Sequence, residues 1–182
     1  MSDPFVTKNI LKWYDLNKRS LPWRKNVSKE KRQYNTLISE FMLQQTQVAT
    51  VIPYFNKFVK EIPNIKKLAS VDNKKLIKLW EGLGYYSRAR NLKKAAQSVI
   101  KNFNGVIPDN FDDLKSLSGI GDYTANAILA IAFNKPYIPL DGNVERIIKR
   151  YLYLKKEKEI QKENLIEKKS ILGFSNRSSD YA

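Results

Sequence analysis

The chain has 182 residues, with 33 lysines and arginines against 18 acidic residues and a formal net charge of +15. Such a field draws polyanions, nucleic acid first among them; a lysine-rich surface set by composition alone is the other reading of the excess. There is no cysteine and no histidine, which excludes disulfides, cysteine-held metals, the usual zinc sites, and Ser-His-Asp or Cys-His catalysis, so acid–base chemistry falls to carboxylates, Lys or Tyr.

Glycines and prolines number only seven each, and apolar residues recur every three or four positions. That pattern predicts an all-α fold with one or two small domains. Residues 4–18 read as an amphipathic helix with Ile10, Leu11, Trp13, Tyr14 and Leu16 as its apolar part. The start lacks an apolar signal region, and no run of 18 apolar residues occurs; the expectation is a cytoplasmic protein with no export signal and no membrane span. Leu21-Pro22-Trp23-Arg24 is expected to be extended, because Pro22 disfavours helix at Leu21. Residues 25–33 (KNVSKEKRQ) read as a basic polar loop. A long helix is predicted from about Thr36 to Val51, with Pro53 breaking or kinking it, then a helix over Tyr54–Glu61. A short helix covers 64–70, and 73–81 is helical with Asn73 as its cap.

Gly82-Leu83-Gly84 interrupts the pattern, and Ser87–Lys101 is a basic amphipathic helix. Asn110 caps the next helix, with Asp112 and Asp113 in its first turn. Residues 118–122 form a turn, 123–133 and 142–152 are helices, and 155–170 is a highly charged helix. No internal repeat and no hairpin of strands is visible.

The sharpest motif is Leu117-Ser118-Gly119-Ile120-Gly121 between two helical segments. Two glycines permit torsions that let backbone N–H groups point outward beside a helix N-terminus, which suits a DNA phosphate. A plain tight turn explains the same glycines. Glu40, Gln44 and Gln47 form a polar stripe on an otherwise apolar helix, the floor of a buried cleft or a solvent-facing stripe.

Five segments carry a resemblance. They are Leu21–Arg24, Ser39–Val48 (SEFMLQQTQV), Gly82–Leu92 (GLGYYSRARNL), the Gly119–Gly121 turn, and Leu140-Asp141-Gly142-Asn143-Val144. In this order they resemble the adenine DNA glycosylases of the helix–hairpin–helix base-excision superfamily, from about Trp13 to Arg150. The Gln-Gln-Thr and Gly-Tyr-Tyr motifs separate that family from endonuclease III relatives. The resemblance implies a two-lobed helical bundle with a cleft between the lobes. Residues 1–24 would belong with the second lobe, 25–134 would form the helical domain with the hairpin at about 112–133, and 135–182 would begin the second lobe.

The implied reaction removes adenine opposite 8-oxoguanine or guanine in double-stranded DNA. Releasing a base requires protonation of the leaving group and a negative charge near the oxocarbenium-like sugar, which suits two carboxylates in different environments. By resemblance Glu40 is the acid, its pKa raised by partial burial. Asp141 stabilises the sugar cation, and Asn143 supports Asp141 and the reacting water. Asp141 also reads as a simple helix N-cap. Tyr123 stands where strand-cleaving relatives carry the Schiff-base lysine, which implies base removal alone; helix packing is its other reading. Gln44 and Tyr85 match residues that wedge into the base stack, or are a surface amide and a packing aromatic. Arg24 and Arg88 are expected on phosphate or in the pocket. Gly119, Ile120 and Gly121 are expected on phosphate.

The chain departs from the family pattern in the longer 25–33 stretch, in Gln33 and Ser118 where Pro is usual, and in Asp122 beside the hairpin. Full-length relatives hold a [4Fe–4S] cluster on four C-terminal cysteines; no cofactor or metal is expected in this cysteine-free chain, which reads as a fragment stopping near that segment. The expected protein is a monomer of the bacterial cytoplasm, associated with the nucleoid. Two alternatives stay open: a mismatch thymine glycosylase of the same superfamily, and a non-catalytic helix–hairpin–helix DNA-binding module.

Overall fold

The computed structural model describes residues 4–151 and 177–181. Among these residues the regular structure is all helical. The helices are α1 (Pro4–Asn17), α2 (Lys29–Leu43), α3 (Val48–Glu61), α4 (Ile65–Ser70), α5 (Asn73–Trp80), α6 (Ser87–Asn102), α7 (Phe111–Lys115), α8 (Asp122–Phe133), α9 (Gly142–Tyr151) and α10 (Ser178–Tyr181). The helix expected over 155–170 lies outside the described residues.

α2 is the axis of the fold. Every residue from Gln33 to Met42 is buried, as expected of a helix surrounded by others rather than lying on a surface. It packs against α3, α6 and α8. α8 is apolar around most of its circumference and buries Thr124, Ala125 and Ala127–Ala132. Leu37, Phe41, Phe58, Trp80, Leu92 and Leu114 are fully buried in one continuous core, each contributing about 1.5–3 kcal/mol by leaving water. Aromatic edges lock its far side: Trp23 meets Phe55 at 5.3 Å and Phe58 meets Trp80 at 6.0 Å, both edge to face.

Four local expectations are corrected. The stretch 25–33 is not all loop: α2 begins at Lys29, because Ser28 caps it by accepting from the Lys31 N–H at 3.3 Å and good helix formers follow. Leu21 is extended as expected, but Pro22–Arg24 form one 3-10 turn that buries Trp23; proline's fixed φ suits a first helical position. The cap of α5 is Asp72, whose Oδ2 accepts from Lys74 N at 2.7 Å and Lys75 N at 3.2 Å. Asn73 instead accepts from Lys93 Nζ at 2.7 Å.

The largest correction concerns Thr36–Val51. The helix stops at Leu43, turns through Gln44–Gln47, and restarts at Val48, while Pro53 lies inside α3. An interior proline loses its own N–H bond and crowds the carbonyl four residues back, at about 3 kcal/mol, yet α3 continues past Pro53 to Glu61. The break is made by Arg88, which donates to the carbonyls of Phe41, Met42 and Gln44. Those carbonyls would otherwise accept from residues four further on if the helix continued.

Around the core's edge, α10 packs on α1 and α8. Arg177 Nη1 donates to Asp15 at 2.9 Å, and Ser179 N donates to Asn134 Oδ1 at 3.0 Å.

Candidate active site

A cleft of about 610 Å³ opens where five elements converge. Glu40 comes from α2, Gln44 and Gln45 from the turn after it, Tyr85 and Ser87 from the turn into α6, Tyr123 from the first turn of α8, and Asp141 from the residue before α9. Residues a hundred positions apart in sequence thus face one space.

Glu40 is 9% exposed. Burial pushes its carboxyl up to about 7, and only the Arg24 charge opposes this. The acid is therefore half protonated near neutral pH. A consequence for stability follows. The folded state holds this proton more tightly than the unfolded chain, whose value is the ordinary 4.5. Stability is full below that value and is lost as pH rises through about 7, by about 3 kcal/mol in all. Glu40→Gln removes the ionisation. Urea titrations at acid and mildly alkaline pH should show the variant gaining on the native chain as pH rises; parallel curves would contradict the buried carboxyl.

Asp141 has the opposite environment. Its carboxylate accepts from Asn143 N at 2.9 Å, Val144 N at 2.8 Å and Asn143 Nδ2 at 3.1 Å. It is thus the N-cap of α9, and it lines the cleft as well. Asn143 is itself held by Arg146 Nη2 at 2.7 Å. It touches Asp141 without lining the cleft.

Tyr123 lines the same cleft and feels the charges of both carboxyls. Its half-exposed phenol is pushed up to about 12, first by burial and then by the charges of Glu40 and Asp141. It stays a neutral donor throughout the physiological range.

The polar stripe is cut in two. Glu40 and Gln44 face the cleft, and Gln44 Nε2 lies 3.4 Å from Gly119 O as its donor. Gln47 instead starts α3 and lies outside the cleft. Tyr85, 62% exposed, forms part of the opposite rim.

In the hairpin, Gly119 has φ +82°, a conformation that favours glycine. The Ile120 side chain is core and its N–H donates to Leu117 O at 3.2 Å. The helix N-terminus expected beside the hairpin is that of the 12-residue α8, behind Gly121. Asp122 beside it is neutralised by Lys115 Nζ at 2.8 Å. Ser118 Oγ donates to Asn91 Oδ1 at 3.2 Å.

The two arginines have inward duties. Arg24 Nη1 donates to Ser179 O at 2.6 Å and its charge acts on Glu40. Arg88 lines the cleft, one of its two expected places, while its buried guanidinium is occupied by backbone carbonyls of α2 and of the Gly82–Gly84 turn. A signal for this was present in the sequence: Arg88 shares the buried stripe of α6 with Leu92, Ala95, Ala96 and Val99, and a charge on an apolar stripe must find partners inside. Among the described residues no group of three or more acidic side chains converges as a metal site, and a cysteine-free chain does not fit a thiolate-held iron–sulfur cluster. No helix among the described residues is long and apolar enough to cross a membrane.

Residues 38–170 match the model of the HhH-GPD superfamily base excision DNA repair proteins, so the chain belongs to that superfamily. It is 46% identical over 173 residues to the adenine DNA glycosylase of Buchnera aphidicola subsp. Acyrthosiphon pisum (strain APS), covering 92% of this chain and 48% of that protein. It is 45% identical over 148 residues to the adenine DNA glycosylase of Rattus norvegicus, covering 79% of this chain and 29% of that one. The chain thus spans half or less of the length of these relatives. A thermostable thymine-DNA glycosylase shares its fold at a TM-score of 0.80 and 24% identity, over 97% of this chain and 81% of that one. An endonuclease III from a non-covalent DNA complex does so at 0.75 and 20%, over 97% and 78%.

Proposed function

We propose that this chain is the catalytic part of an adenine DNA glycosylase that hydrolyses the N-glycosidic bond of adenine opposite 8-oxoguanine or guanine and leaves an abasic site. The observation that carries the reading is the pairing of a buried carboxyl raised to about 7 with a hydrogen-bonded carboxylate across one cleft. The names of the relatives at 45–46% identity support the choice of base.

The adenine leaves the stack, at a cost of a few kcal/mol, to enter the cleft. The Glu40 carboxyl gives its proton to a ring nitrogen of the base. The C1′–N bond breaks and its electron pair leaves with the base. The cation left on the sugar is stabilised by the Asp141 carboxylate. Water then attacks C1′, and its proton returns to Glu40. Tyr123 offers no amine, so no Schiff base forms and the strand stays intact. Because Glu40 must start protonated, the rate should fall above about pH 7.

The test is release from duplexes carrying adenine opposite 8-oxoguanine, adenine opposite guanine, or thymine opposite guanine. Strand breaks at adenine that appear only after alkali are expected. Thymine release would favour the mismatch thymine alternative, and breaks without alkali would sink the hydrolytic mechanism.

The net charge of +15 gives a second expectation. If the basic surface neutralises about six phosphates, duplex affinity should drop about 1,000-fold between roughly 50 and 200 mM salt. A flat dependence in a fluorescence-anisotropy titration would assign the charge to composition alone.

A further inference from the structure

Two residues lining the cleft have left-handed backbone without being glycine: Gln45 at φ +56° and Tyr85 at φ +48°. Each such conformation costs about 1–2 kcal/mol and persists only where the surroundings over-determine it. One guanidinium does this for both. Arg88 Nη1 donates to Met42 O at 2.9 Å, to the Gln44 carbonyl and to Thr46 Oγ1 at 3.1 Å, bracketing Gln45. Its Nη2 donates to Leu83 O at 3.1 Å and Gly84 O at 3.2 Å, the peptides leading into Tyr85. The Tyr85 ring lies 5.5 Å from the same guanidinium, and Trp80 lies 5.7 Å from it. The buried Nε–H has no partner, so the group is oriented for the two turns and forgoes a bond of its own.

We propose that Arg88 is a positioning residue that holds the two rim turns at one separation, so that Gln44 and Tyr85 meet the DNA stack together. The separation is a property of the free chain; only its use on DNA rests on the glycosylase reading. A planar fork with five donors can hold two turns at once, and a lysine ammonium cannot reproduce its geometry.

The chain has no native cysteine, so two introduced cysteines are unique spin-label sites. Labels at exposed Gln47 and Tyr86 report the rim, and labels at exposed Lys67 and Lys101, on α4 and α6, serve as the control. In Arg88→Lys the rim distance distribution should broaden while the control pair keeps its width. In an active chain the same variant should release adenine about 100-fold more slowly, the effect of roughly 1 Å of misplacement. Duplex Kd should change less than about threefold, because phosphate contacts dominate it. A rim distribution as narrow as the native one would overturn the proposal. Broadening of both pairs with loss of the thermal transition would also overturn it, making Arg88 a general support of the core. A native chain that releases no base would sink the glycosylase reading and leave the distance result standing.

Discussion

Glu40→Gln is expected to lower the single-turnover rate of adenine release by about 1,000- to 10,000-fold, the upper range for a lost general acid, with duplex binding kept. The amide matches the carboxyl in size and cannot give up a proton. Its site is buried in the middle of α2, among Leu37, Phe41 and Met42, so the fold should accept a neutral group there readily. Asp141→Asn is the companion. Asparagine caps helices as well as aspartate does, so the bonds from Asn143 N and Val144 N can persist on the remaining oxygen. What disappears is the charge beside the sugar cation, with an expected loss of about 100- to 1,000-fold. The pair of results also separates the enzyme from the non-catalytic DNA-binding module. A module would bind duplex equally well in all three forms and release nothing in any. Measurable adenine release from both variants at the native rate would remove the two carboxyls from the chemistry.

The second large effect is on stability. Gly119→Ala should destabilise the chain by about 2–4 kcal/mol, combining backbone strain with overpacking. The residue has φ +82°, and a Cβ there would lie 2.8 Å from Asn91 Cβ and 2.9 Å from Phe41 Cε1. Neither neighbour can retreat easily: Phe41 is fully buried, and the Asn91 atom is the one attached to its backbone. Gly121→Ala is the contrast. Its φ of −96° suits any residue, and nothing lies within 4 Å of the added methyl. Its cost should stay below about 1 kcal/mol, the difference between two N-cap residues. Urea denaturation of both variants decides it. Equal stabilities would mean that the α7–α8 turn has room the structure does not show. The hairpin therefore joins two functions. Gly119 lets the turn close onto α2, and that closure brings the N-terminus of α8, with Tyr123, to the cleft.

Much of the helical pattern was legible in order along the chain. Asn110 and the two acidic residues in the first turn mark the start of α7, because capping and first-turn charge are local effects. The failures differ in cause. The reach of α2 back to Lys29 follows from a local cap at Ser28 that the charged stretch obscures, whereas the break after Leu43 is set from a distance. At the break, the deciding partner is Arg88, more than forty residues away. Periodicity sees neighbours at three and four positions and cannot see a donor arriving from another helix.

By itself the sequence determined the chemical types available and their order. With no histidine and no cysteine, carboxylates, lysines and tyrosines remained as candidates, and the motifs singled out Glu40, Tyr123 and Asp141. Only the tertiary structure decided the surroundings of those groups. Glu40 is pushed up to about 7 because packing takes its carboxyl out of water, whereas Asp141 is exposed enough to face the cleft and is held by three N–H donors. Both side chains are carboxyls. The difference is that Asp141 is held by its own neighbours, a local cap readable in the sequence, whereas the desolvation of Glu40 is a property of the packed molecule alone.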